Sequence, residues 1–131
     1  MRLLLDTHIF LWSLLEPARL GRRVAAELEN PENELWLSSI SVWEVLVLAE
    51  KGRVELDTAP SAWIRAALKK APVREIPIDH AVAIHSRFIE LPHQDPADRF
   101  LAATAQVHHL TLVTADEHLL QAKGFAVLPN R

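Results

Sequence analysis

The chain has 131 residues, half of them hydrophobic and 24% charged, with no cysteine and a formal net charge of −3 at neutral pH. That is enough for one globular core, and it excludes a disordered chain, a disulfide scaffold, thiolate catalysis and a zinc–sulfur site. The mildly acidic balance argues against a tight, sequence-indifferent nucleic-acid binder. It leaves room for a nuclease whose acidic site meets phosphate through a cation.

The first apolar run is interrupted by Asp6, Thr7 and His8, too early for a secretory signal, and no stretch approaches a bilayer span. The expectation is a cytoplasmic protein with no membrane partner. Residues 2–5 read as the first strand, a continuous apolar run of the kind buried on both faces. A heavily apolar helix over 7–15 follows, Pro17 and Gly21 punctuate a turn, and 22–29 reads as a short amphipathic helix. After a loop at 30–33 come a second strand at 34–37 and an apolar helix that carries Glu44. A helix over 61–70, a short strand at 73–76 and a helix around 79–88 follow, then a loop over 91–94. Asp95-Pro96-Ala97-Asp98 opens a helix that runs to about 108. A strand at 110–114, a helix at 117–122 and an edge strand at 125–128 complete the chain. Alternating strands and helices predict an α/β fold: a three-layer α/β/α arrangement with a central, mainly parallel sheet, as a single domain over 1–131.

Four carboxylates fall where such a sheet brings side chains together. Asp6 ends the first strand and Asp116 follows the strand at 110–114, while Glu44 and Asp98 lie near the starts of two apolar helices. In an open α/β sheet the ligand crevice lies beyond the carboxyl ends of the strands. Unpaired acids gathered there lose solvation and repel one another, which calls for a hard divalent cation with oxygen ligands.

Singly, each acid has an ordinary explanation. Ser41-Val42-Trp43-Glu44 has the pattern of a capping box, Asp95 and Asp98 suit a helix start, and Asp6 and Asp116 could each cap a helix. Jointly they say more. Glu44 is flanked by Ile40, Val42, Trp43, Val45, Leu46, Val47 and Leu48, so little solvent-facing helix is expected around it. Asp98 shares a helix face with Leu101, Ala102 and Ala105. The expected chemistry is metal-dependent phosphodiester hydrolysis by a metal-activated water. Other chemistries lack their patterns. The seven histidines show no compact ligand spacing, there is no G-x-S-x-G, and three glycines supply no phosphate-cradling loop.

The stretches Leu3–Trp12, Ser39–Val45, 93–105 and 110–116 together resemble the PIN-domain ribonucleases, in particular VapC-type toxins of toxin–antitoxin modules. They run in order over essentially the whole chain. The resemblance implies that Asp6, Glu44, Asp98 and Asp116 surround one or two Mg²⁺ or Mn²⁺ ions. It implies cleavage of single-stranded or loop RNA to a 5′-phosphate and a 3′-hydroxyl, a homodimer, and a cognate antitoxin. Beside the four acids, Thr7, Ser41 and Thr114 are candidates to hold ligands or waters, and Asp95 reads as a cap. Arg99 reads as a phosphate contact or as the i+4 ion-pair partner of Asp95. Trp12 and Leu15 serve either an interface or the core. The rival readings are a housekeeping PIN nuclease in RNA processing without an antitoxin, a receiver-like metal-binding signalling module, and a catalytically silent binding partner.

Overall fold

Five parallel strands form the frame, and their order explains where a site can be. The computed structural model describes residues 1–92 and 94–131. The strands are β1 (Arg2–Leu5), β2 (Glu34–Ser38), β3 (Val73–Ile76), β4 (Thr111–Thr114) and β5 (Ala126–Pro129), in the order β3-β2-β1-β4-β5. Leu3 pairs with Leu35 on one side and Thr111 on the other, so β1 is central. The chain builds outward from β1 to β3, then crosses back to lay β4 on β1's other edge. That reversal makes the β1/β4 boundary the switch point, where a crevice opens beyond the strand ends.

Both faces of the sheet are covered, as the uninterrupted apolar strands require. Leu3, Leu5, Leu35, Leu37 and Val113 point to one face and pack with Ile9, Phe10, Val24, Val45 and Ile64. These come from α1 (Thr7–Leu15), α2 (Arg22–Glu29), α3 (Ser39–Glu50) and α4 (Pro60–Lys70). Leu4 and Leu112 point the other way, toward Val82, Leu101, Ala102, Ala105 and Leu119. These belong to α5 (His80–His85), α6 (Pro96–His108) and α7 (Glu117–Leu120). The period-2 alternation of strand side chains thus feeds two apolar cores. The expected three-layer α/β arrangement is the one observed.

The turn expected at Pro17 is a 3₁₀ turn over Pro17–Arg19. Other local expectations change. The helix expected around 79–88 is shorter, because the buried Arg99 draws the Ser86 carbonyl to its Nε at 2.9 Å and the Ser86 hydroxyl donates back to Ala83 O. The cap of α3 is Ser38, whose hydroxyl accepts from Ile40 N at 3.1 Å, so Ser41 is no capping-box serine. Nor is α3 sunk in the core. Only Ser41 and Val45 are buried, and Trp43 is 53% exposed. Val42, Leu46 and Leu48 are partly buried against one core and Ile40 against the other, while Trp43 is the apolar side chain of α3 that reaches solvent. The expected loop over 91–94 includes His93, which lies outside the described residues.

Candidate active site

Four separate elements deliver the four acids to one crevice. Asp6 follows β1 and caps α1, with a side-chain oxygen accepting from Thr7 N at 2.7 Å. Asp116 follows β4 and caps α7, accepting from His118 N at 2.9 Å. Asp98 stands in the first turn of α6, and Glu44 in the middle of α3. All four line a crevice of about 590 Å³. The ordinary explanation of Asp6 and Asp116 as caps is therefore true as well, because one carboxylate oxygen serves the helix while the residue still lines the crevice. Glu44 is half-buried, and the crevice, not a surrounding core, is what it faces.

The remaining polar residues fix these acids in place. Thr114, wholly buried on β4, donates its hydroxyl to Asp6 Oδ2 at 2.6 Å and accepts from Asp116 N at 3.0 Å. Thr7 donates to the Ser41 hydroxyl at 2.9 Å, tying the start of α1 to α3. Asp95 caps α6, accepting from Ala97 N and Asp98 N, and also lines the crevice. Arg99 differs from both expected roles. It is buried, and it donates from Nε to Ser86 O and from Nη2 to Ile89 O. A guanidinium committed to two carbonyls beneath α6 anchors the α5–α6 connection. It lies off the crevice wall.

Electrostatics marks the crevice as a place where buried carboxylates crowd one another. Burial first, and then the nearby Glu44, pushes the Asp6 carboxyl up to about 6 against the lowering effect of the Thr114 hydrogen bond. Asp98 is pushed up to about 8, by burial first and then by Asp95, Asp6, Asp116 and Glu44. Like-charged carboxylates that share a desolvated site raise one another in this way. An all-oxygen donor set of this charge suits a hard divalent cation. Among the described residues no three acidic or imidazole groups stand in coordinating geometry. The carboxylates face one another across the crevice without forming a closed shell.

The same wall carries residues that the sequence reading did not join to the acids: His8, Trp12, Arg19 and Arg53. Leu15, an alternative core residue, is 39% exposed and lines the crevice too. The signal for His8 and Trp12 was available, since they follow Asp6 on one helix at i and i+4.

Comparison with known proteins agrees with the fold. Residues 3–125 match the family described as PIN domain. The chain belongs to the PIN-domain family. This PIN domain is 35% identical over 119 residues, 88% of each chain, to Ribonuclease VapC22 of Mycobacterium tuberculosis. Among solved structures it superposes on VapBC2 from Rickettsia felis bound to a promoter DNA fragment with TM-score 0.75 and 16% identity, covering 98% of both chains. A toxin–antitoxin complex from Klebsiella pneumoniae is similar at TM-score 0.62 and 27% identity, covering 98% of this chain and 97% of that one.

Proposed function

We propose that this PIN domain is a divalent-metal-dependent endoribonuclease and the toxin half of a toxin–antitoxin pair. The observation that carries the reading is the convergence of Asp6, Glu44, Asp98 and Asp116, from four elements, on the switch-point crevice. The 35% identity to a relative named as a ribonuclease gives the substrate class.

In this reading the four acids hold Mg²⁺ or Mn²⁺. A bound divalent ion supplies Lewis acidity and offsets the negative charge of the phosphodiester. The chain's own residues set the stage for it. Thr114 and the Thr7 amide hold the two oxygens of Asp6 in one orientation, and through Asp116 N the same threonine hydroxyl positions the next acid. Asp98 sits where the positive end of α6 and the amides at its start favour an anion. Without a cation, Asp98, pushed up to about 8, retains at neutral pH a proton that binding must displace. Hydrolysis by water then leaves a 5′-phosphate and a 3′-hydroxyl.

The partner is a cognate antitoxin. Support comes from neighbours described as a toxin–antitoxin complex and as a member of the VapBC family of toxin–antitoxin systems. A homodimer belongs to the same reading. Ile84 and Phe88, 64% and 72% exposed, are the kind of apolar side chains that a second subunit covers. Among the described residues no helix is long and apolar enough to cross a membrane, and the proposed place of action is the cytoplasm.

The test is incubation of the purified protein with total cellular RNA and Mg²⁺ or Mn²⁺, beside an EDTA control and Asp6→Ala. Discrete fragments that need both metal and Asp6 support the assignment. Metal-independent cleavage, or full activity in Asp6→Ala, overturns it.

A further inference from the structure

Beside the acids, the crevice wall carries a flat cationic surface that the hydrolytic chemistry does not use. The Arg19 guanidinium carbon lies 4.3 Å from the centroid of the Trp12 ring. Trp12 is half-buried on α1, with His8 one turn back at a ring-centroid distance of 5.9 Å and a tilt of 53°. The Arg19 side chain is 56% exposed, so one side of it meets the indole while much of the rest meets solvent. Its backbone is held as well: Leu20 N donates to Pro17 O across the 3₁₀ turn, and Asn130 Nδ2 donates to Arg19 O at 3.0 Å. Trp12, Arg19 and Arg53 line the same crevice as the four acids.

Resting on the ribonuclease reading, we propose that Arg19, backed by Trp12, is a stacking platform for one unpaired RNA base near the scissile phosphate. A guanidinium is planar and weakly hydrated, and bases stack on such planes as they do on aromatic rings. The indole beneath holds the plane and limits the rotamers that binding would otherwise have to freeze. The stack has little to do for the fold, because an exposed cation over a ring and a 3.6 Å surface pair with Glu16 contribute weakly there. Charge points to the same ligand. A crevice lined by six acids, Glu16 and Asp95 among them, in a chain of net charge −3 repels a polyanion, and Arg19 and Arg53 place positive charge inside that crevice. An unpaired strand follows, since a base inside a duplex keeps both faces stacked on its neighbours. Substrate selection then begins with single-strandedness, read by stacking, ahead of any base-edge contact.

The test measures binding apart from cleavage. Affinity is read by fluorescence anisotropy with a short, mixed-sequence single-stranded RNA in Mg²⁺, in an Asp98→Asn background. Cleavage is followed separately with Asp98 intact. Arg19→Ala and Trp12→Ala weaken binding roughly tenfold, the loss expected for one stacked base. Arg19→Lys keeps the charge but not the plane, and it loses nearly as much. Trp12→Phe stays within about threefold. Replacing one nucleotide after another with an abasic residue finds a position at which the platform variants no longer differ from the parent. Thermal melts identify any variant that unfolds, and the exposed Arg19→Lys carries the test if Trp12→Ala does so. Parent-like affinity in Arg19→Lys leaves a point charge only and overturns the platform. So does unchanged affinity in every variant, as when this wall seats a protein segment, and so does a parent protein that binds no single strand. Base-dependent loss in the variants without metal-dependent cleavage by the parent keeps the platform and removes the ribonuclease assignment.

Discussion

Thr114 and Asp6 are 108 residues apart in sequence and joined by a 2.6 Å hydrogen bond from the threonine hydroxyl to Asp6 Oδ2. The same hydroxyl accepts from Asp116 N, so one buried oxygen links the acids that end β1 and β4 across the switch point. Replacing Thr114 with valine keeps shape and strand preference while removing that link. Residues that orient a metal-binding carboxylate typically change activity by about 10–100-fold when lost, and a fall in that range is expected here. Stability drops by about 1–2 kcal/mol from the unsatisfied groups. Metal-dependent RNA cleavage and urea unfolding measure the two effects, and wild-type turnover in Thr114→Val removes the positioning role.

Asp98→Asn separates function from stability. The substitution takes one charge out of a crowd in which Asp95, Asp6, Asp116 and Glu44 all push the Asp98 carboxyl upward. The metal-free variant melts at a higher temperature than the parent at pH 8, while cleavage is lost and Mg²⁺ raises the melting temperature less than it does in the parent. A variant that melts lower in EDTA contradicts the account of the crevice as a repulsive cluster.

Stability without metal falls as pH rises through the neutral range. The ordinary carboxylate value lies near 4, whereas Asp6 titrates at about 6 and Asp98 at about 8 in the folded chain. Between those limits the native state binds more protons than the unfolded chain, so the slope of unfolding free energy against pH is negative. The shift at Asp6 corresponds to about 3 kcal/mol, most of it lost between pH 4 and 6, so the fall above pH 6 comes chiefly from Asp98, whose share solvent screening reduces. Melting in EDTA is therefore expected to be higher at pH 5.5 than at pH 8. Mg²⁺ narrows the difference, and its affinity increases with pH as the carboxylates give up their protons. A flat or rising metal-free profile between those pH values rejects this.

Arg99→Leu tests the reassigned arginine. It leaves the Ser86 and Ile89 carbonyls without their charged donor in a buried setting. A loss of roughly 2–4 kcal/mol in urea unfolding is expected from two orphaned acceptors. A loss below about 0.5 kcal/mol, with cleavage abolished, would instead return Arg99 to the phosphate.

His109 ends α6 in the left-handed region, with φ of 55°. Glycine adopts that conformation without strain, so His109→Gly is expected to raise stability by about 0.5–1 kcal/mol with no effect on cleavage. Thermal denaturation decides it, and a destabilised variant assigns the imidazole a contact worth more than the strain.

Strand and helix identity was legible along nearly the whole chain because the pattern is local. Leu3-Leu4-Leu5 has no polar face, so it reads as a doubly covered strand, and Asp95-Pro96 announces a helix start by its own chemistry. Asp6, Asp98 and Asp116 were legible because each ends or begins such an element, and a parallel sheet collects those ends on one edge, whereas Glu44, expected near a helix start, stands in the middle of α3. Hydrophobicity misled at α3, where an apolar run reads as buried although Trp43 faces solvent. Arg99 was opaque for a related reason. Its partners, Ser86 O and Ile89 O, are backbone atoms, and nothing in a side-chain pattern points at a carbonyl ten or more residues away.

The sequence by itself determined an α/β domain of parallel strands, with three acids at element ends, a fourth on an apolar helix and no cysteine chemistry, since these follow from periodicity and residue type. Only the tertiary structure decided that Thr114 bridges Asp6 and Asp116, that Ser41 meets Thr7, and that Arg19 lies over Trp12 beside the acids. Those relationships depend on strand order and register. The crossing from β3 back to β4 lays Val113 beside Leu5, and short-range pattern carries no information about which strand ends become neighbours.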